Sequence, residues 1–178
     1  MSGGTSHGDR GWRGGRGKPH NNKNPSSETK LKKTIDDYFF YVGSNEQASD
    51  FETTSEFMIN HVKKTFDRGN DVAEALRLLR KPDTSVWKPS LSFSTQESIV
   101  LKTHEDRQYE LEYKADLDEY MKRKRMYDNN LFKAYALIWE RCAKEMQIKI
   151  VSRKDFEQQV YNDPIELLKA VKEHALNY

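Results

Sequence analysis

The sequence predicts an all-α body of about six helices in two halves, preceded by a disordered arm that is rich in glycine and arginine. Apolar residues after position 34 recur at the three- and four-residue spacing of amphipathic helices. Capping residues precede several of these stripes. The first 30 residues instead hold seven of the nine glycines and too few large apolar side chains to offset the entropy cost of folding.

The arm, residues 1–33, is strongly basic although the whole chain has a formal net charge of only +2. It holds eight lysines and arginines against two acids, so the rest of the chain is mildly acidic. Arginines among glycines, with one tryptophan between them, are typical of segments that bind single-stranded nucleic acid through phosphate contacts and stacking. The alternative is a solubilising tail. The predicted site for RNA, or another single strand, comprises Arg10, Trp12, Arg13, Arg16, Lys18, Lys23, Lys30, Lys32 and Lys33.

The predicted N-terminal half spans residues 34–81. Its first apolar run, residues 38–42, suits either a helix or an extended lead-in. Thr53 and Glu56 have the spacing of a capping box, which predicts the start of a helix. The predicted apolar stripe of this helix consists of Phe57, Met58, Val62 and Phe66. Gly69 predicts where that helix stops, because glycine readily adopts the left-handed conformation that terminates helices.

A second helix is predicted from Asn70 or Asp71, either of which can act as its cap, up to Pro82. Its apolar stripe has helical spacing and consists of Val72, Ala75, Leu76 and Leu79. Residues 82–98 follow, with two prolines and five serines, and predict an irregular connector. We expect the indole of Trp87 to pin this connector to the body.

The predicted C-terminal half spans residues 99–178. A long charged helix, about 99–127, has tyrosines at helical spacing, which indicates a solvated helix with a narrow aromatic seam. Residues 128–130, Asp-Asn-Asn, predict its end. Residues 130–150 then form the most apolar helix, which we expect to be central.

Two further helix starts are predicted near the end of the sequence. Ser152 and Asp155 can open a short helix. Asp163 followed by Pro164 is a stronger signal, because aspartate is a favoured cap and proline is favoured at the first helical position. The buried stripe of this last helix is predicted to be Ile165, Leu168, Val171 and Ala175.

No catalytic motif is present in the sequence. The single cysteine, Cys142, excludes an internal disulfide and favours a reducing compartment, the cytoplasm or the nucleus. The five histidines lack the spacing of a metal site, so we expect no metal, no cofactor and no small-molecule substrate. The competing hypothesis is an enzyme that uses His61 or Cys142.

Charge runs within the body are interpreted as solvated helix surface. Asp116, Asp118 and Glu119 stand among lysines and arginines, which favours ion pairs over metal binding. The basic run 122–125 could be a nuclear localisation signal or could contact phosphate, but its acidic neighbours favour a solvated face. The longest apolar run, residues 134–139, is far too short to span a membrane, so we expect a soluble protein.

Three blocks of the body follow one another in a recognisable order. They are TIDDYFFYVGSNEQASDFETTSEFMINHVKKTFDRGNDV at 34–72, KAYALIWERCAKEMQIKI at 133–150 and NDPIELLKAVKEHALNY at 162–178. Together with the leader rich in glycine and arginine, this succession resembles the N-terminal part of Gag-like polyproteins of copia-type LTR retrotransposons.

The resemblance implies a capsid-like protein that self-associates into a shell around RNA, and hence a homo-oligomer. Polyproteins of this family generally continue into a zinc knuckle, an aspartic protease, an integrase and a reverse transcriptase. Motifs for these are missing, so the chain is expected to be a truncated copy, a fragment or a separate Gag remnant. The alternative is a monomeric RNA-binding adaptor, or a domesticated Gag remnant, whose body docks a partner protein.

Overall fold

A computed structural model describes Met1, Gly4 and residues 34–43 and 46–176 of the chain. They form five α-helices, which are Gln47–Thr65 (α1), Gly69–Leu78 (α2), Ile99–Glu140 (α3), Lys144–Val151 (α4) and Pro164–Leu176 (α5). A π-helical turn, Phe156–Val160, precedes α5, and 3-10 turns occupy Ile35–Asp37 and Thr84–Trp87. The described part of the chain has no strand, only one isolated β-bridge, which confirms the predicted all-α class.

The core is centred on α5, which contacts each of the other four α-helices. Seven of its thirteen residues are buried, more than on any other helix relative to length. Asp163 caps it as predicted, since its carboxylate accepts hydrogen bonds from the Ile165 and Glu166 amides. The whole predicted stripe is buried and consists of Ile165, Leu168, Val171 and Ala175. The expectation that residues 130–150 form the central helix is therefore wrong.

Buried residues from both sides of the connector 82–98 belong to one apolar cluster. Helix α1 packs against α2 and α5, while α2 packs against α3 and α5. The core therefore unites residues before and after the connector. The predicted domain boundaries stay a prediction.

The apolar run 38–42, before α1, is extended rather than helical, and this is one of the conformations that the sequence left open. Phe40 is buried, and its backbone pairs with the turn that follows α3. The Phe40 amide donates to the Arg141 carbonyl over 2.8 Å, and the Ala143 amide donates to the Phe40 carbonyl over 3.0 Å. This pairing lies between α3 and α4, so the stretch 130–150, predicted as one helix, is divided between two.

Helix α1 begins at Gln47, six residues before the predicted capping box at Thr53. The buried Gln47 amide group accepts a hydrogen bond from the Gly43 amide and donates another to the His174 carbonyl on α5. These contacts tie the first turn of α1 to the core. The local capping signal at Thr53 is therefore not used, and Thr53 lies inside the helix.

The apolar stripes predicted for the first two helices are largely confirmed. Their buried members are Met58, Val62, Val72, Ala75 and Leu76. Helix α2 begins at Gly69, so Asn70 and Asp71 lie inside it rather than capping it. The carboxylate of Asp71 instead bonds to a residue of α3, as described below.

Gly69 does not terminate α1 but begins α2. Helix α1 ends at Thr65, and the residue in the left-handed conformation is Arg68, with φ of 53°. Gly69 is required for a different reason, namely that a Cβ atom there would lie 2.1 Å from the Val62 carbonyl oxygen. The glycine therefore allows the start of α2 to approach the backbone of α1.

Helix α3 is one continuous helix of 42 residues, about 63 Å long. The predicted break at residues 128–130 is absent. Asparagine interrupts helices when its side chain bonds to nearby backbone, but Asn130 is buried and its amide donates to the Asp67 carbonyl in the α1–α2 joint over 2.6 Å. The side chain that was expected to end the helix docks another element onto it.

Only the second part of α3 enters the core. Its four buried residues are Tyr127, Asn130, Ala134 and Ile138. The predicted tyrosine seam, which includes Tyr109 and Tyr113, is only half-buried. Residues 99–126 of α3 therefore extend beyond the buried cluster.

Substituting Gly69 with alanine should destabilise the protein by about 1 to 3 kcal/mol, because the new methyl group collides with the backbone of α1. The matched control is Asn70→Ala, an exposed change one residue later in α2. Urea denaturation followed by circular dichroism measures both. A Gly69→Ala midpoint equal to that of wild type would contradict the close approach.

Candidate functional site

The nucleic-acid site predicted from the sequence lies outside the described residues. This applies to every member, that is, Arg10, Trp12, Arg13, Arg16, Lys18, Lys23, Lys30, Lys32 and Lys33. Candidate sites in the rest of the chain are found among the clusters, grooves and exposed apolar surfaces of residues 34–43 and 46–176.

One side-chain cluster, which we call the Arg123 clamp, joins α2, the connector and α3. The Arg123 guanidinium donates to both carboxylate oxygens of Asp71, over 2.9 and 2.6 Å. The same guanidinium lies 4.1 Å from the ring centroid of Trp87, a cation–π geometry. The Trp87 ring meets Tyr127 edge-on, at 5.6 Å between centroids. The prediction that Trp87 pins the connector is confirmed.

The surroundings of Arg123 and Tyr127 raise the pKa values of both side chains. Bonding to Asp71 raises the pKa of Arg123 further above its usual range. Burial raises the pKa of Tyr127 to about 12, so this phenol stays neutral. Its hydroxyl is buried and has no hydrogen-bond partner among the described residues. The contacts of the clamp are those of a structural lock between α2, the connector and α3.

A groove with a volume of about 290 Å³ lies beside the clamp, and we call it the α2 groove. Its apolar lining consists of Ala75, Leu78, Pro82, Val86 and Trp87. Its charged lining consists of Asp71, Glu74, Arg80 and Asp83. A second depression of about 480 Å³ shares Asp71 and Glu74 with this groove, and its lining is mainly polar. Neither lining contains a serine, cysteine or histidine.

The two residues of the competing enzyme hypothesis are not brought together with a reactive partner. Cys142 is buried, and its thiol donates to the Ile138 carbonyl over 3.3 Å. Burial raises the pKa of the Cys142 thiol to about 12, which suppresses the thiolate needed for nucleophilic attack. His61 is half-buried on α1 and lines none of the grooves described above.

The charge runs on α3 are helix surface, with two of their residues in ion pairs. Glu119 pairs with Arg68 at the α1–α2 joint, and this contact lowers the pKa of the Glu119 carboxyl. Within the basic run 122–125, Arg123 serves the clamp and the other three residues are exposed. Among residues 34–43 and 46–176, no group of three potential ligands could hold a metal ion.

A second candidate is an exposed apolar surface at the start of α3, which we call the α3 tip. It comprises the consecutive residues Ile99, Val100 and Leu101 in the first turn of the helix. Their side chains are 56% to 82% exposed. Exposed aliphatic groups that cluster in this way mark interaction surfaces.

Comparisons with protein-family models, curated proteins and solved structures find no match for this chain. Within the described residues, no helix is long and apolar enough to cross a membrane. The resemblance to Gag-like polyproteins stays a prediction.

Sequence reasoning found one member of the clamp and missed the others. Trp87 stood out as a large apolar residue in a polar connector. Asp71 and Arg123 are 52 positions apart, and each resembles any other charged residue of an exposed helix. The α3 tip did leave a signal, since Ile99, Val100 and Leu101 are a run of three aliphatic residues in a charged segment.

Replacing Arg123 with alanine should destabilise the protein by about 1 to 3 kcal/mol, because it leaves the partly buried Asp71 without its bidentate donor. Arg123→Lys keeps the charge but cannot form the fork, so we expect an intermediate loss. The neighbouring exposed Lys124→Ala is the control, with a change below about 0.5 kcal/mol. Equal urea midpoints for Arg123→Ala and Lys124→Ala would show that the clamp contributes nothing.

Cys142 should be unreactive in the folded protein. With a pKa of about 12, only about one thiol in ten thousand is ionised at pH 8, and burial blocks access as well. A thiol-specific chromogenic reagent should label Cys142 immediately in urea but only at the rate of transient unfolding in buffer. Rapid labelling of the native protein would revive the nucleophile hypothesis.

Proposed function

We propose that this chain is a non-enzymatic, Gag-like capsid module that binds RNA through its basic arm and self-associates through residues 34–178. The observation that carries the proposal is the division of charge and apolar surface along the chain. Cationic residues are concentrated in the arm, whereas exposed apolar side chains cluster on the helical body.

The composition of the arm supports RNA binding. Glycines allow each guanidinium to reach a phosphate independently, and every neutralised phosphate releases counterions. Such contacts supply affinity without reading the base sequence. The body is a poor competitor for RNA, because several of its arginines are already paired with carboxylates. These are Arg68, Arg77, Arg123, Arg141 and Arg153.

The surface of the body supports self-association. The α3 tip exposes three large apolar side chains on consecutive residues, although charged residues make up 33% of the whole chain. Leaving such a cluster in water is unfavourable, at roughly 25 cal/mol for each Å² of apolar surface. A protein contact that covers the tip recovers that free energy.

The second candidate function is a monomeric RNA-binding adaptor whose body docks a different protein. The α2 groove favours it, since a largely apolar groove can receive a side chain of a partner. The two candidates differ in the oligomeric state of the pure protein.

Removing the arginines of the arm should weaken RNA binding. In the variant Arg10→Ala, Arg13→Ala, Arg16→Ala, affinity should fall for RNAs of different sequence alike. The slope of log affinity against log salt should flatten by about 0.7 for each lost phosphate contact. Fluorescence anisotropy with labelled RNA at several salt concentrations measures both quantities.

The matched control removes the same charge from the body, in the variant Lys122→Ala, Lys124→Ala, Arg125→Ala. These side chains are exposed on α3, so the fold should tolerate their loss. We expect a clearly smaller change in affinity and slope. An equal effect of both triple variants would show that net charge, and not the arm, determines binding.

The pure protein should form oligomers at tens of micromolar, and RNA should increase their size. Size-exclusion chromatography with light scattering, with and without RNA, gives the mass directly. A strict monomer under both conditions contradicts the capsid proposal and leaves the adaptor. Oligomers that form only with RNA would show that the arm must first gather the copies.

A further inference from the structure

We infer that copies of this chain join head to tail, with the α3 tip of one copy seated in the α2 groove of the next. This rests on the proposed self-association and names the surfaces that carry it. The tip and the groove are both apolar, both exposed, and lie on different parts of the same chain.

The tip has the form of a knob. Ile99, Val100 and Leu101 are consecutive in the first turn of α3, so their side chains spread around the end of the helix. Ile99 is 82% and Val100 is 78% exposed. A flat partner surface could cover only one side of this helix end. A surface that covers all three side chains must therefore be concave.

The α2 groove has the matching form. Leu78 is 54% and Val86 is 74% exposed although both are aliphatic, and Trp87 closes one side. A cavity of about 150 Å³ can hold a benzene molecule. A groove of about 290 Å³ therefore has room for one or two aliphatic side chains.

The tip cannot fill the groove of its own chain. Trp87, in the groove wall, lies against Arg123 of α3. Ile99 is 24 residues earlier in the same unbroken helix, which at 1.5 Å per residue places it about 36 Å away. A tip that fills the groove must therefore come from another copy of the chain.

The unpaired charges beside the two surfaces are compatible with this pairing of copies. Next to the tip, Glu97 and Lys102 are exposed and form no ion pair among the described residues. In the groove, Arg80 and Asp83 are likewise exposed and without an ion pair there. Each surface thus offers one acid and one base to the other. Complementary charges of this kind orient a contact and disfavour other partners.

A junction of this type is heterologous, because two different surfaces meet. Each copy keeps one free tip or one free groove after joining, so addition continues until a ring closes or a filament grows. This separates the inference from a symmetric pairing of two α3 helices, in which a dimer would be the end point.

The experiment uses two full-length variants, each lacking one side of the junction. The tip variant is Ile99→Asp with Val100→Asp, and the groove variant is Leu78→Asp with Val86→Asp. Light scattering should find each variant monomeric alone, whereas an equimolar mixture should form a dimer and nothing larger. The dimer is expected because the mixture contains one intact tip and one intact groove.

The control variants carry an aspartate at other exposed apolar positions. Leu111→Asp lies on α3 away from the tip, and Ile148→Asp lies on α4, and their side chains are 60% and 62% exposed. Both should assemble like wild type. Should an aspartate variant fail to fold, by circular dichroism, the milder pair Val100→Ser and Val86→Ser replaces it.

Two results overturn the inference. One is assembly of the tip and groove variants at wild-type size, which leaves self-association intact but places it elsewhere. The other is the failure of the two variants to complement each other in the mixture, which indicates a symmetric contact. If wild type itself stays monomeric with and without RNA, the capsid proposal fails along with the junction. RNA affinity, measured separately on an RNA too short to hold two copies, should be unchanged in all four aspartate variants because the arm is untouched.

Discussion

The docking of the α1–α2 joint onto α3 is the constraint on which the other features depend. Glu119 pairs with Arg68, Arg123 holds Asp71, and the Asn130 amide reaches the Asp67 carbonyl. The three α3 residues are spaced by four and seven positions, which places them on one face of the helix. Because the three contacts need a common axis, a break in α3 between residues 119 and 130 would separate them. The docking of the α1–α2 joint therefore requires an unbroken α3, and the same contacts fix the position of α3.

An unbroken α3 also determines which surfaces are left exposed. Its second part is buried against α5 and α2, and a rigid rod that continues by 28 residues must leave the core. The connector runs back along the projecting part of α3. Trp87 lies against Arg123, whereas the Ser94 hydroxyl donates to Glu105 and the Ser94 amide donates to Asp106. One face of the projecting helix is thereby partly covered, but its first turn is not. The same continuity that builds the core thus places an apolar tip far from the groove beside α2.

Local signals predicted the fold where no distant contact overrode them. Asp163 caps α5 because its carboxylate reaches the amides of the first turn, an interaction that the sequence contains completely. The predictions at Thr53, Gly69 and Asn130 were wrong because tertiary contacts took over at each place. A glutamine bonded to α5 starts α1 early, close packing requires the glycine, and the Asn130 amide bonds to another element. The Asp71–Arg123 pair joins two elements whose relative position no local pattern encodes.

In the proposed function, the arm binds RNA and the body binds other copies, and this division has a physical consequence. A strand of RNA that holds several arms raises the local concentration of the attached bodies, and linked sites of this kind bind more tightly than the individual contacts. The junction between bodies can then be weak, as a tip of a few aliphatic side chains implies. The ion pairs of the body's arginines support the same division between RNA binding by the arm and protein contacts by the body. A body that also bound phosphate would turn its surfaces toward the RNA instead of toward other bodies. RNA would in this way promote assembly without any RNA contact in the interface.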